Sequence, residues 1–347
     1  MLSDGRLVGT RLRRGHCRAC GGGWLDPVEA ARLPRDTFGT AYGLGAALPG
    51  ASDLARAEGY AARIAALLAR VGARAPASLL DIGCGNGALL LRLAARWPGA
   101  RRMGVEPAPR VAAAARAAGL AVAPALRAGH RAALVVSVNV IEHTPDPLAF
   151  LRALRRAIAP GGAAALICPD GSLPWVELLM ADHRWSLTPA ALAGLAARAG
   201  LRVVAREGAA RGFQAMLLRP AAPRRPSPPR GAHGVAARRH YLAAWRALDG
   251  ALLARRDPGR ALLVFGAGEA AQLLRAHAPR TWAEVAGITQ DGPPLDRPLG
   301  RPWAPLPAAP DGRAQLLLGV RPAVQPMLAE RFARLLPVLR WDGNIPG

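Results

Sequence analysis

The sequence predicts an α/β protein, a doubly wound and mostly parallel sheet followed by a second, smaller α/β domain. Three observations predict it. Short apolar runs alternate with helical patterns from residue 53 to residue 218, one of those runs and another at 261–265 end in glycine turns that open onto a helix, and a Pro/Arg-rich stretch divides the chain at 220–234. Length agrees, since 347 residues make about two domains at ~150 each. With 51% hydrophobic residues the chain can fill its cores without staples, which excludes a disordered or disulfide-scaffold protein.

Residues 1–50 are rich in Gly and Arg and weakly periodic. From Asp53, read as an N-cap, the spacing of Leu54, Tyr60, Ile64, Leu67, Leu68 and Val71 predicts a helix. Ser78–Ile82 then reads as a strand, Gly83 to Gly87 as a tight turn and Ala88 to Trp97 as a helix. The alternation continues with a strand at Arg102–Glu106, a helix over Ala108–Ala118, a weak strand at Leu120–Ala125 and a β-branched strand at Leu134–Val138. A helix over Leu148–Ile158 is stopped by Ala159-Pro-Gly-Gly162, and Ala163–Cys168 is the next strand. After a helix at Pro189–Ala199, the strands Arg202–Ala205 and Phe213–Leu218 have no helix between them, so an antiparallel hairpin is expected at one edge. These elements make a domain over 51–219. Beyond the linker, the domain 235–347 holds a helix near Val235–Ala254, the strand Ala261–Phe265, the turn Gly266-Ala-Gly268-Glu269, and strands at Val285–Ile288 and Gln315–Val320.

Charge bounds the function. All 46 basic residues are Arg against 23 acidic ones, a net charge of +23. The positive charge is diffuse and only 5% of residues are aromatic, so no basic stripe with stacking platforms marks a nucleic-acid binder. Arg92 interrupts the apolar stretch Ala88 to Ala95, and no run reaches the ~18 to 20 residues a membrane span needs. Lacking a secretory signal pattern, the chain is expected to be soluble and cytoplasmic, with no membrane partner.

The strongest chemical signal is Leu79-Leu-Asp81-Ile-Gly83-Cys84-Gly85-Asn-Gly87. Glycines at a strand-to-helix turn let a ligand lie against bare backbone. Nineteen residues after Gly87, Glu106 ends the next strand, where a carboxylate can accept hydrogen bonds from both ribose hydroxyls. Asp81 at the mouth of the turn suits a cationic ligand and opposes a pyrophosphate, which argues against a nicotinamide oxidoreductase.

With these residues the sequence resembles the class I S-adenosylmethionine-dependent methyltransferases. The segments LLDIGCGNG (79–87), GVEP (104–107), VIEHTPDPLAFL (140–151) and APGG (159–162) carry the match across roughly 55–218. The resemblance implies S-adenosyl-L-methionine as cofactor and a Rossmann-like fold. It further implies that Asp81, Gly83, Cys84, Gly85 and Gly87 shape the methionine end of the pocket, that Glu106 holds the ribose, and that Asn139 and Val140 lie beside the cofactor. Where the family usually carries acidic residues at the adenine end, this chain has Pro124-Ala-Leu126 and Gly129-His-Arg131.

Methyl transfer is an in-line displacement helped mainly by alignment, and a base is needed only for a protonated acceptor. His143 follows the strand Leu134–Val138 at the ligand-binding edge. His183 lies in a Trp-bearing segment outside the regular alternation. Both are taken as candidate catalytic residues, the alternative for His143 being a helix-start residue that orients its loop. Cys17-Arg-Ala-Cys20-Gly21 looks like one knuckle of a zinc ribbon; without a second knuckle, zinc is not expected and no metal ligand is assigned. Methyltransferases acting on nucleotide-linked sugars have a similar arrangement of Cys module, core and smaller α/β domain. The expected acceptor is therefore a small molecule, such as a nucleotide-linked sugar or related intermediate. An anionic handle on it would be held by Arg residues of the second domain. The rival readings are an RNA methyltransferase and a noncatalytic binding protein on the same fold.

Overall fold

Leu79, Leu80, Leu134, Val135 and Val136 are all buried, because their strands lie in the middle of a sheet covered on both faces. The structure, a computed structural model, describes residues 1–9, 11–210, 212–225, 234–291, 298–310 and 312–345. Part of the predicted linker, 226–233, lies outside the described residues.

In chain order, the hairpin of β1 (Arg14–His16) and β2 (Gly23–Leu25) and the helix α1 (Pro27–Ala31) precede α2 (Ala51–Ala69). The main unit follows with β3 (Ser78–Ile82), α3 (Ala88–Arg96), β4 (Arg101–Val105), α4 (Pro109–Ala117), β5 (Val122–Ala123), β6 (Ala132–Val138) and α5 (Pro147–Ala157). It continues through β7 (Ile158–Pro169), β8 (Trp185–Ser186), α6 (Pro189–Arg198), β9 (Leu201–Ala210) and β10 (Phe213–Pro220). The second unit contains α7 (Val235–Leu253), β11 (Ala261–Phe265), α8 (Glu269–His277), α9 (Pro279–Ala283), β12 (Val285–Thr289), β13 (Ala314–Leu318), α10 (Gln325–Phe332) and β14 (Val338–Leu339).

The seven-stranded sheet has the order β5-β4-β3-β6-β7-β10-β9. Its first five strands are parallel; β10 runs antiparallel to β7 and to the edge strand β9, as the missing helix between the last two strands predicts. The second sheet, β12-β11-β13-β14, is wholly parallel. Amphipathic spacing explains how the helices lie: α2 buries Ala57, Ala61, Ile64, Leu67 and Leu68, and α5 buries Leu151, Leu154 and Ala157.

Several local expectations are corrected. Asp53 is not the N-cap of α2: Gly50 is, and Asp53 three residues on accepts from the Gly50 N–H at 3.2 Å. The strand expected at Ala163 begins at Ile158 and runs through Pro160-Gly-Gly, because its early residues already pair with the start of β6. The weak strand after α4 shrinks to Val122–Ala123, an edge pairing to β4 alone.

Three pieces meet around residues 170–186. β2 pairs with β8 to make a three-stranded antiparallel sheet from the N-terminal hairpin and the main unit. From the second unit, α7 and α8 bring Tyr241, Trp245 and Leu274 into one apolar cluster with Leu178, Leu179 and Met180. Arginines tie the backbone between them. Arg14 donates to the carbonyls of Leu178 (3.0 Å), Met180 (2.8 Å) and His183 (2.9 Å), and Arg238 donates to those of Gly171 and Gly21.

Candidate active site

The carboxyl ends of β3, β4 and β6 deliver the first set of site residues to one edge of the sheet. After β3 the chain turns through Gly83 (φ 80°), Gly85 (φ 56°) and Gly87 (φ 85°), all in the left-handed region that a side chain disfavours. A Cβ on Gly83 would stand 2.3 Å from Cγ2 of Val140, and one on Gly87 2.2 Å from Cδ1 of Leu120. Nothing lies within 4 Å of a Cβ built on Gly85, so the turn is bare on that side.

Glu106, just past β4, accepts from the N–H of Gly85 at 3.0 Å and from that of Ala108 at 2.9 Å. Burial raises its pKa, and those two amides oppose the rise. Asp81 is 2% exposed and its Oδ1 has no hydrogen-bond partner. Burial, helped by the charge of Glu106, pushes its carboxyl up to about 8. A buried carboxylate without a partner is costly unless a cation joins it. That chemistry fits the ammonium of a methionine moiety lying on the turn. Cys84 contributes backbone, since its thiol is packed over Gly104 and burial makes it a weaker acid. After β6, Asn139 adopts φ 56° and donates from Nδ2 to the Tyr60 hydroxyl at 3.2 Å, while its buried Oδ1 has no partner.

A second set is held by the turn Ile141–His143 and by the segment before β8. The rings of His143 and His183 meet edge to face with centroids 4.7 Å apart. His143 Nδ1 lies 3.0 Å from the carbonyl oxygen of Asp182. A carbonyl only accepts, so Nδ1 carries the hydrogen and Nε2 keeps its lone pair. Burial, and then the proximity of His183, bring the pKa of His143 down to about 4. Burial also pulls on His183, yet Glu177, Asp182 and Glu142 together outweigh it and the pKa of His183 is raised. Its Nδ1 stands 3.7 Å from Glu177 Oε2, an ion-pair distance and not a hydrogen bond.

Three carboxylates surround this ring pair. Glu177 accepts from the Ser186 hydroxyl, and Asp182 accepts from the N–H and hydroxyl of Ser3. Glu142 is 2% exposed, and neither of its oxygens has a partner; burial pushes it up to about 7, against the pull of His183. One ligand atom from each of Glu142, His143 and His183 falls within 4.8 Å of the others. Trp185 Nε1 donates to the Thr144 carbonyl at 2.7 Å and fastens the two segments together.

The two sets are adjacent, because Val140, packed against Gly83, precedes Glu142 by two residues. Aromatic residues from the N-terminal segment complete the surroundings. Phe38 touches the His143 ring with centroids 5.0 Å apart and the Tyr42 ring at 5.1 Å; the Tyr42 hydroxyl feels the charges of both Asp182 and Glu106. Asn86 of the glycine turn donates to the Ala47 carbonyl at 3.3 Å and to Asp53 at 3.2 Å, so residues near 45–53 lie over the turn.

Other features lie elsewhere. A cleft of about 480 Å³ lined by Arg131, Arg155, Arg156, Arg202 and Arg219 opens at the amino ends of β6 and β7, on the opposite edge of the sheet. Cys17 and Cys20 close the hairpin between β1 and β2, and the Gly21 N–H donates to the Cys17 carbonyl at 2.9 Å; no third ligand joins them among the described residues. In the second unit, Glu269 occupies the first turn of α8 and pairs with Arg321 at 3.6 Å, beside the Gly266–Gly268 turn.

Comparison with known proteins places a match over the same part of the chain. Residues 55–206 match a family described as a methyltransferase domain. The ubiquinone biosynthesis O-methyltransferase of Cereibacter sphaeroides is 37% identical over 157 residues, covering 38% of this chain and 62% of that protein. The enzyme of the same name from Methylobacterium nodulans is 35% identical over 152 residues, covering 37% and 60%. The chain thus spans about three fifths of the length of these relatives. The solved mitomycin 7-O-methyltransferase MmcR superposes with a TM-score of 0.41 at 23% identity, covering 50% of this chain and 55% of the other, too loose a likeness to build on. Over residues 55–206, less than half of the chain, the sequence matches a methyltransferase domain, and the parallel sheet and glycine turn found there agree with its resemblance to the class I S-adenosylmethionine-dependent methyltransferases.

Proposed function

We propose that the protein transfers a methyl group from S-adenosylmethionine to a hydroxyl of a small molecule. The observation that carries this reading is the meeting, at one sheet edge, of a glycine turn with an unpartnered buried carboxylate and a pair of partly buried imidazoles in ring contact. Asp81, Gly83, Cys84, Gly85, Gly87, Glu106, Asn139 and Val140 would hold the donor. His143 and His183 stand where the acceptor's oxygen has to be made nucleophilic. The acceptor oxygen attacks the methyl carbon as the C–S bond breaks and its electron pair goes to sulfur, so line-up of the three atoms supplies much of the rate. Oxygen as the acceptor atom is supported by the relatives' names, and Phe38 beside His143 suits an aromatic ring. A nucleotide-linked sugar is the second acceptor class, favoured by the cysteine hairpin and α/β unit that flank the core.

The test is transfer of labelled methyl to phenolic and quinol hydroxyls and to sugar nucleotides. With an accepted substrate, His143→Ala and His183→Ala should each lower kcat by about 100-fold or more while S-adenosylhomocysteine affinity stays within about twofold. Unchanged turnover in both variants would remove the imidazoles from the mechanism. Strong, steeply salt-dependent RNA binding with methylation of the RNA would replace the small-molecule reading.

A further inference from the structure

We propose that Glu142, His143 and His183 form a site for one divalent cation, at the acceptor side of the methyl-donor pocket. The ligand atoms of these three residues already lie within 4.8 Å of one another, so small side-chain rotations bring them onto one ion. Two imidazoles and a carboxylate are a donor set for Mn²⁺, Fe²⁺ or Zn²⁺ that leaves further coordination positions open.

Four observations converge on a cation here. Glu142 is buried, and both of its oxygens lack a hydrogen-bond partner, which leaves an unsatisfied carboxyl group in the interior beside the two rings. Glu177 and Asp182, 2% and 1% exposed, add two more buried acids around the same ring pair, and Coulomb repulsion among the three favours a dication in their midst. The outer contacts of the rings are those of ligating histidines: His143 Nδ1 faces the Asp182 carbonyl at 3.0 Å and His183 Nδ1 faces the Glu177 carboxylate at 3.7 Å. Finally, the surrounding carboxylates are themselves fixed, that of Asp182 by Ser3 and that of Glu177 by Ser186, so the site is supported beyond its ligands.

The inference rests on the proposed methyl transfer for its purpose and not for its geometry. An acceptor with two neighbouring oxygens would chelate the ion through the open positions. A hydroxyl so bound gives up its proton to solvent more readily, and its freed lone pair forms the O–C bond as the C–S bond breaks towards sulfur. The imidazoles then act through the ion and are not themselves the base.

The experiment is Mn²⁺ titration of the full chain after chelator stripping, read by calorimetry and by electron spin-echo nitrogen couplings. One Mn²⁺ per chain is expected, with two imidazole nitrogens coupled to it. Glu142→Gln and His183→Ala should each weaken Mn²⁺ at least tenfold, while the double variant Cys17→Ser/Cys20→Ser leaves the stoichiometry at one. Binding below a tenth of an ion per chain, or Mn²⁺ without imidazole coupling, overturns the site even if a variant fails to fold. Binding lost only with the cysteines also overturns it. Titration of S-adenosylhomocysteine into the same stripped protein separates the two claims: its absence counts against the methyl-transfer reading, whatever the metal result.

Discussion

Asp81 offers the sharpest quantitative consequence of the pocket. Its carboxyl is held near pKa 8, first by burial and then by Glu106, so the ligand-free protein keeps it largely protonated at neutral pH. A ligand ammonium seated against it requires the ionised form, and binding must therefore expel a proton. With a pKa of 8 the ionised fraction is about one half at pH 8 and about one hundredth at pH 6, so affinity should fall about 50-fold between them. S-adenosylhomocysteine is the ligand to use, because it keeps the ammonium and lacks the sulfonium. Calorimetry at pH 6, 7 and 8 in buffers of different ionisation enthalpy reads both affinity and proton release, and close to one proton per ligand is expected at pH 7. Asp81→Asn should bind at least about 100-fold more weakly at pH 8 and lose the pH dependence, since an amide leaves the ammonium unpaired. A flat affinity from pH 6 to 8 with no proton released would refute the assignment of Asp81 to the ligand's cation.

Three further outcomes follow from the same coordinates. Gly83→Ala places a methyl 2.3 Å from Val140 Cγ2 at φ 80°; it should cost about 1–3 kcal/mol of stability and lower S-adenosylhomocysteine affinity at least tenfold, and a wild-type melt with wild-type affinity would contradict it. Arg14→Ala strips the carbonyls of Leu178, Met180 and His183 of their donor, a loss on the order of 3 kcal/mol, read as a lower melting temperature and faster amide exchange confined to residues 176–186. Exchange unchanged there would show that the segment is held by its apolar packing alone. The ligand-free fold should also lose stability as pH rises from about 4 towards 8: the folded pKa of Asp81 lies above its unfolded value, so the full contribution is present below the unfolded pKa and disappears through the folded one. Denaturant titrations should show this slope flattened in Asp81→Asn, and an equal slope in both proteins would assign it to other groups.

What the sequence disclosed was local. Asp81, the three glycines and Glu106 sit at fixed offsets from strand ends, and a strand-turn-helix pattern places such residues at the sheet edge without knowledge of the rest of the chain. The parallel sheet also follows from the βα alternation, and the antiparallel β9–β10 pair from the missing helix between those strands, whereas the order of the strands is seen only in the folded sheet. Phe38, Tyr42 and Ser3 were illegible because they belong to a stretch with no periodicity, and only tertiary packing carries them to His143 and Asp182. Arg14 was hidden among 46 chemically identical residues; nothing in its neighbourhood distinguishes a guanidinium that binds three carbonyls from one in solvent. His143 and His183 could each be named as candidates, yet their ring contact joins residues far apart in the chain and had no sequence signal. Glu142 shows the same limit, since its isolation from hydrogen-bond partners is a property of the packed site alone.

The measurement that tests the central claim most directly is a crystal structure of the chain with S-adenosylhomocysteine. The ligand should lie along Gly83–Gly87, with its ammonium against Asp81, its ribose hydroxyls against Glu106 and its sulfur turned towards the His143–His183 pair. A ligand bound anywhere else, or a turn closed to saturating ligand, would contradict the reading of this edge as a methyl-donor site.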